Sequence, residues 1–318
     1  MPKSLVFLMD PFASLNLETE TSLLFMEELL RRGHRVFWAE ARGLCLDNGK
    51  LLGQVAPVQS VKPFELGESV STPLDGFDAL INRKDPPFDL HYLHVTLLLD
   101  FLAPQVVQIN APRALRDLNE KLVSQRFPER TTDCRVAAEA ESLAEFVRQA
   151  GRAVVKPLDD CSGRGIGLLE GSDPDLLSKL QDRLNASGGF LMVQRYLPEV
   201  HLGDKRVYLA GGRICGLVNR IPKDEHSLGN IHMGARCVSA QLSPREAETV
   251  EMIIPLLQAE GVFLAGVDFI GGELTEINLT SPSALRQINE VDGKHWEVEV
   301  VDGILDFIKL KKLPATSC

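Results

Sequence analysis

The stretch VFLAGVDFIGGELTEINL, residues 262–279, decides how this chain is read. Two apolar runs, 262–270 and 274–279, flank Gly271-Gly272 and are rich in strand-favouring residues, so the segment reads as a β-hairpin. Side chains two apart on a strand share a face, which puts Glu276 and Asn278 together. Whether Asp268 joins them depends on the turn. A two-residue turn at Gly271-Gly272 opposes Asp268 to Thr275 and aims it away from Glu276. A three-residue turn, Gly271-Gly272-Glu273, opposes Asp268 to Glu276 and brings all three side chains to one face. Carboxylates opposed across a sheet repel unless a cation lies between them. An oxygen-only set suits Mg²⁺, which takes one or two protein carboxylates beside phosphate oxygens. A solvated hairpin with polar outward residues is the plain alternative.

Working outward from the hairpin, Val154-Val155-Lys156-Pro157-Leu158-Asp159-Asp160-Cys161-Ser162-Gly163-Arg164-Gly165-Ile166-Gly167 reads as a strand ending in Lys156, a small-residue loop and a second strand. Backbone N–H groups in such a loop can receive phosphate with the Lys156 cation beside them. It is not a P-loop, because the lysine precedes the glycines and no helix follows directly. On its own, an ordinary glycine-bearing hairpin reads the same way. Further on, Gln194-Arg195-Tyr196-Leu197-Pro198 precedes Gly203-Asp204-Lys205-Arg206. A linker after a strand can offer its backbone to an adenine edge while Lys and Arg face anions; a charged, solvated turn is the alternative. Arg83, Lys84, Arg220, Asn230 and Arg236 stand in predicted loops, where binding groups are usually carried. His91 and His94 share a face of a predicted helix without a third ligand and read as structural.

A chain of 318 residues suits two or three packed lobes. With 44% apolar and 25% charged residues it has the composition of a compact soluble protein, and a net charge of −10 argues against a general nucleic-acid binder. Six scattered cysteines (Cys45, Cys134, Cys161, Cys215, Cys237, Cys318) form no CxxC pair and read as reduced thiols. The apolar start is broken by Asp10-Pro11 and reads as a buried strand rather than an export signal, and no run reaches transmembrane length. The expectation is a cytoplasmic protein with neither nucleic acid nor membrane as partner. Strands and helices alternate through 1–111 as an open sheet, with 47–73 read as short strands and loops. A second unit, 112–189, opens on a helix over 112–121, and Asp173-Pro174 starts another that runs to 187. In the third unit, 190–318, the strand over 190–194 comes first, and Ser243-Pro244-Arg245-Glu246 is a capping box whose helix stops at Gly261. A hinge is read at 186–189.

Several blocks, taken in order, resemble bacterial glutathione synthetase, a member of the ATP-grasp superfamily. They are Arg83-Lys84-Asp85-Pro86-Pro87-Phe88-Asp89, Leu115-Arg116-Asp117-Leu118-Asn119-Glu120-Lys121, Lys156-Pro157-Leu158-Asp159, Tyr196-Leu197-Pro198, Gly203-Asp204-Lys205-Arg206, Arg220-Ile221-Pro222 and Leu274-Thr275-Glu276-Ile277-Asn278 with Thr280-Ser281-Pro282. The resemblance implies an α/β and α+β protein, an ATP-grasp fold of two α+β lobes preceded by a Rossmann-like pre-ATP-grasp domain. It implies that Lys121, Lys156, Asp159, Ser162, Gly163, Gly165, Asp204 and the linker Gln194, Arg195, Tyr196 and Leu197 bind ATP. Asp268, Glu276 and Asn278 match its metal ligands for two Mg²⁺ ions, with Mn²⁺ as the alternative. Arg83, Arg206, Arg220 and Lys156 are the implied catalytic cations, and Arg83, Arg206, Arg220, Asn230, Gly234 and Arg236 the implied substrate contacts. The implied reaction joins γ-glutamylcysteine to glycine at the expense of ATP, in a homo-oligomer. Departures fall on Asp160-Cys161-Ser162-Gly163-Arg164-Gly165, more polar than that family's glycine-rich loop, and on Asp224-Glu225-His226 and Leu228. They touch the lid and substrate loops, and so leave a glutamate-adding ligase of the same superfamily as the second reading. A non-catalytic nucleotide-binding homologue is the third, against which the intact Asp268, Glu276 and Asn278 set argues.

Overall fold

The computed structural model describes residues 1–17, 19–160, 165–223 and 235–312. Its first sheet holds β1 (Ser4–Met9), β2 (Arg35–Asp47), β3 (Lys50–Val61), β4 (Phe64–Leu66), β5 (Val70–Pro73), β6 (Ala79–Asn82) and β7 (Val107–Ile109), in the order β4-β3-β2-β1-β6-β7 with β5 on β3. The β2-β1-β6-β7 centre is parallel, and β1 is buried on both faces along its whole length, as a parallel core strand must be. Two helices accompany it, α1 (Ser22–Arg31) and α2 (Leu90–Leu99). The region 47–73 departs from expectation. β2 and β3 form one long hairpin whose ends pair Asp47 with Lys50. Asn48 and Gly49 both take positive φ, 47° and 82°, the two-residue turn that Asn-Gly favours.

The second sheet runs β10-β9-β11-β8, from β8 (Cys134–Ala137), β9 (Arg152–Pro157), β10 (Gly167–Glu170) and β11 (Leu191–Arg195). Here the reading of 190–194 as the opening of the last lobe fails. β11 pairs antiparallel with both β9 and β8, so a division at 189 would cut this sheet in two. Helix α3 (Pro112–Asp117) precedes the sheet, and α4 (Ala140–Ala150) and α5 (Leu176–Ala186) pack on it. α3 ends four residues short of Lys121. The Asn119 side chain turns the chain by accepting from the Lys121 and Leu122 N–H groups (3.0 and 3.2 Å). α5 starts later than Asp173-Pro174 predicts: the Asp173 carboxylate does accept from the Asp175 N–H (2.9 Å), as a cap would, but the Leu176 N–H closes a separate turn on the Asp173 carbonyl (3.2 Å) before the α-helix begins.

The third sheet runs β14-β13-β12-β15-β16, from β12 (Asp204–Ala210), β13 (Arg213–Ile221), β14 (Arg236–Val238), β15 (Leu264–Ile270) and β16 (Glu273–Asn278). It is accompanied by α6 (Pro244–Glu260), α7 (Leu285–Asp292) and α8 (Trp296–Lys312). α6 has the predicted capping box at Ser243 and Glu246 and the left-handed Gly261 at its end. One face of this sheet, with Val207, Leu209, Val267 and Ile277, packs against α3 and α6. On the other face Tyr208 and Ala210 join a core that also holds β1, α1, α7 and α8, so the first and third sheets share one apolar interior. The second sheet has an interior of its own.

Candidate active site

The hairpin resolves the turn question in a third way. The turn is the two-residue one, with Ile270 paired to Glu273 and Phe269 to Leu274, yet Asp268 pairs with Glu276. A β-bulge at Thr275 supplies the missing residue, and the Thr275 hydroxyl donates to the Asp268 carbonyl (3.1 Å). Asp268, Glu276 and Asn278 therefore share one face, and Asn278 Nδ2 donates to Asp268 Oδ2 (3.1 Å).

Next to them, β12 carries Arg206 opposite Asp268 and Asp204 opposite Arg220 of β13. Arg206 grips the Asp268 carboxylate through two nitrogens, one at 2.7 Å. Arg220 reaches Asp204 Oδ2 at 2.6 Å and Asp268 Oδ2 at 3.1 Å. Burial works against a charge on Asp268, but Arg206 and Arg220 outweigh it and hold the carboxyl down to about 2. Burial dominates at Asp204 instead, where Arg220 opposes it and Asp268 adds to it, and the carboxyl is pushed up to about 6. Burial pulls the Arg220 guanidinium down, and Asp204 and Asp268 carry it well above its ordinary value.

Two lysines reach the same place from other elements. Lys121 Nζ donates to the Asp160 carbonyl (2.5 Å) and lies 3.4 Å from Glu276 Oε1, joining the hairpin to the entrance of the small-residue loop. Lys156, at the end of β9, is pushed down by burial; Glu276 counters this and Lys121 adds to it. The loop entrance is held further by Asn119 Nδ2 on the Leu158 carbonyl (2.7 Å) and by the Phe88 N–H on the Asp159 carbonyl (2.7 Å). Gly165, with φ +69°, returns the chain so close to Pro157 that a Cβ would lie 2.8 Å from its ring. Ser162, Gly163, Asn230, Gly234, Leu228 and residues 224–226 lie outside the described residues.

The linker is fixed from both sides. The Arg195 and Tyr196 N–H groups donate to the carbonyls of Asp133 (2.9 Å) and Arg152 (3.1 Å), and the Tyr196 ring lies under the Arg152 guanidinium at 4.3 Å. Gln194 is buried, with Nε2 lacking a hydrogen-bond partner among the described residues, whereas the exposed Arg195 pairs with Asp133. Leu197 caps a 3₁₀ turn over Pro198–Leu202. Arg83 bonds to α1 and to the segment after β16. It is 2% exposed and ties Ser22 Oγ (2.8 Å) to the Pro282 carbonyl (2.9 Å), with Nη1 buried and unpartnered among the described residues. Arg236 is exposed on β14, paired through its backbone with Ile221.

Sequence reasoning missed the residues that align this site. Glu120 accepts from the N–H groups of Leu279 (2.6 Å) and Thr280 (2.8 Å) and from the Thr280 hydroxyl (2.9 Å). Asn110 accepts from the Phe263 and Leu264 N–H groups and donates to the carbonyls of Leu264 and Leu279. Both pin the hairpin's base to the chain leading into Lys121, and their only sequence signal is adjacency to a motif. An ionised Asp268, an opposing Glu276 and an Asn278 amide give an all-oxygen donor set with no thiol or imidazole, which fits Mg²⁺.

Similarity to known proteins bears on the same residues. Residues 4–116 match the family model for the prokaryotic glutathione synthetase N-terminal domain, and residues 120–293 match the ATP-grasp domain of that family. The chain is 36% identical to a glutathione synthetase of Thermosynechococcus vestitus over 311 residues, covering 93% of this chain and 98% of the relative. It is 34% identical to that of Neisseria meningitidis serogroup A, covering 95% and 98%. Among solved structures its fold is similar to a D-cycloserine synthetase (TM-score 0.69, 13% identity, covering 96% and 99%). It is also similar in fold to D-alanyl-alanine synthetase A of Vibrio cholerae (TM-score 0.59, 14% identity, covering 97% and 99%). With both parts of the family represented in order, and the carboxylates and cations of its ATP-grasp half gathered on one sheet face, the chain belongs to the prokaryotic glutathione synthetase family of ATP-grasp ligases.

Proposed function

We propose that the protein joins γ-glutamylcysteine to glycine, converting ATP to ADP and phosphate. The observation that carries this reading is the pairing of Asp268 with Glu276 beside Arg206 and Arg220, with Lys121 linking Glu276 to the loop entrance at Asp160. A carboxylate is a poor electrophile toward an amine. In this reading its oxygen attacks the terminal phosphorus of ATP, the bond to ADP breaks, and an acyl phosphate forms. The amine then attacks the acyl carbon and phosphate leaves. The protein's part is positioning and charge neutralisation. Lys121 and Lys156 stabilise the charge spreading over the phosphate oxygens, and Arg206 and Arg220 take the phosphoryl and carboxylate ends. Asp268, Glu276 and Asn278 would hold Mg²⁺, which would supply positive charge to neutralise the phosphate oxygens. Gln194, Arg195, Tyr196 and Leu197 form the proposed adenine contact, Asp159, Ser162, Gly163, Gly165 and Asp204 belong to the proposed nucleotide site, and Arg83, Asn230, Gly234 and Arg236 to the proposed substrate site.

The reading further takes the protein to be a cytoplasmic homo-oligomer; free thiols at Cys45, Cys134, Cys215 and Cys237 suit a reducing compartment. The test is ADP release with γ-glutamylcysteine plus glycine against a panel of other acids and amines. Turnover with that pair, and at least tenfold less with every other, is the expected result. A preference for glutamate as the added group would move the protein to another ligase of the superfamily. Nucleotide binding without ADP formation on any pair would overturn the reading.

A further inference from the structure

The order of the first sheet reverses between β1 and β6. From β1 the chain passes through α1 to β2 on one side, and from β6 through α2 to β7 on the other. α1 packs on one face of β1 and α2 on the opposite face. In open parallel sheets, ligands settle in the crevice outside the carboxyl ends of the two strands where the order reverses. Here those ends run into Asp10 and into Arg83-Lys84-Asp85. The Ser281-Pro282 segment beyond β16 lies against them, through the Pro282 carbonyl on Arg83 and the Ser281 hydroxyl on Asp85.

The charges of this crevice do not cancel. Asp10 is spent: Oδ2 accepts the Asp85 N–H (2.7 Å), and Oδ1 lies 3.5 Å from Lys84 Nζ, which also donates to the Asp85 carbonyl (3.0 Å). Glu20, on the chain between β1 and α1, accepts the Ser22 N–H (2.6 Å) and stands 4.0 Å from Arg83 Nη2. Asp85 is left over. It is exposed on one side and, among the described residues, pairs with no cation. Burial by the crevice walls, and then Glu20, push its carboxyl up to about 6 against Ser281 and Arg83. Beside this surplus carboxylate lie donors with nothing to donate to. Arg83 spends Nε on Ser22 and Nη2 on Pro282, which leaves Nη1 of its fork. Thr21 Oγ1, next to Glu20, is also buried without a partner among the described residues. An uncompensated carboxylate next to unspent donors is the complement of an ammonium next to a carboxylate, the head of an α-amino acid. Reach agrees. In γ-glutamylcysteine seven bonds, roughly 8 Å extended, separate the reacting carboxyl carbon from the free ammonium. Ser281 stands three residues past Asn278, at most about 10 Å of chain from it. We infer that Asp85 receives the α-ammonium of the acid substrate in the β1/β6 crevice, with Arg83 Nη1 on the adjoining α-carboxylate, so that the enzyme selects acids with a free α-amino group. This inference rests on the ligase reading and adds to it the residue that reads the amino end of the acid.

Steady-state ADP release with γ-glutamylcysteine and with glutarylcysteine, which lacks only the α-ammonium, tests it. The wild type should favour γ-glutamylcysteine by at least about 100-fold in kcat/KM, because a site built around a charged partner rejects the analogue without it. Asp85→Asn should lose about 30-fold or more on γ-glutamylcysteine, chiefly in KM, but less than about threefold on glutarylcysteine, with the KM for ATP within about twofold. Asp85→Glu, which keeps the charge, should retain a preference of at least about tenfold. A wild type that uses both acids alike overturns the proposal before any variant is made. Equal losses on both acids in Asp85→Asn overturn it too, since they would give Asp85 a structural role alone. The ligase reading fails separately. Should no acid and amine release ADP, calorimetric titration of the two acids into the wild type with ATP present still reads the crevice. Tighter binding of γ-glutamylcysteine, abolished by Asp85→Asn, upholds the subsite without the reaction, and equal binding of the two acids sinks it.

Discussion

At the scale of single residues, the two carboxylates of the hairpin are held differently and should fail differently. Glu276 keeps 22% of its side chain exposed and, among the described residues, pairs with the end of Lys121. Glu276→Gln should cut ADP formation by at least about 100-fold, as expected when charge stabilisation at a phosphoryl group is lost, while thermal unfolding moves by no more than about 1 kcal/mol. Asp268 is 3% exposed and answers two buried guanidiniums. Asp268→Ala should remove activity and also cost about 3–5 kcal/mol of stability, because breaking one side of a buried charge cluster strands the rest. Comparing denaturant midpoints with turnover in the two variants separates these outcomes. Equal stability losses would show that Asp268 is no more deeply committed than Glu276. These carboxylates were legible because strand alternation narrows their options to two. Glu120 was not, since nothing in the sequence tells a buried acceptor of two N–H groups from a surface glutamate.

At the scale of elements, the chain between the linker and β12 passes through Gly203 at φ +120°, where a Cβ would lie 2.1 Å from Asn219 Oδ1. Asn219 donates to the Leu202 carbonyl (2.8 Å), so the two strand ends are packed without slack. Gly203→Ala should therefore destabilise by about 1–3 kcal/mol through backbone strain and displacement of Asn219, and raise the Michaelis constant for ATP, since Asp204 and the linker flank it. Equilibrium unfolding and ATP titration of turnover measure both. The hairpin's Thr275 bulge, by contrast, left a trace in the sequence. The core positions Leu274 and Ile277 are three apart, an odd interval that a regular strand cannot bury on one face. The Asn48-Gly49 turn left a local signal too, yet 47–73 reads from sequence as short strands and loops, so the long β2–β3 hairpin was not anticipated. The place of β11 was not legible, because strand order within a sheet depends on pairings between distant residues that no local pattern encodes.

At the scale of the whole molecule, the first and third sheets are joined by a shared interior and by ion pairs at its rim. Glu28 of α1 holds Arg31 and Arg32, and Arg32 extends to Asp302 (2.5 Å) and the Val298 carbonyl (3.1 Å) of α8. The Arg31 hydrogen bond, opposed by burial and reinforced by Arg32, lowers the Glu28 carboxyl below its ordinary value. A carboxyl whose folded value is depressed contributes stability above its unfolded value, near 4.5, and that contribution is lost as the pH falls toward the folded value. Glu28→Gln should cost about 1–3 kcal/mol at pH 7, with the gap to the wild type closing as the pH drops below about 4.5. Urea unfolding across pH 3–7 reads the difference, and a gap independent of pH would assign the loss to packing.

The hairpin also obeys a rule of parity. Seven residues, 269–275, separate Asp268 from Glu276. In an uninterrupted two-stranded ladder closed by a two-residue turn, opposed residues always have an even number between them, so an odd count demands one supernumerary residue somewhere. This chain spends it inside β16 rather than at the tip. Moving it, by deleting Thr275 and lengthening the Gly271-Gly272 tip by one, conserves the count and keeps the two carboxylates abreast; deleting Thr275 alone leaves six residues between them, an even count with which a regular ladder also keeps them abreast, without the bulge.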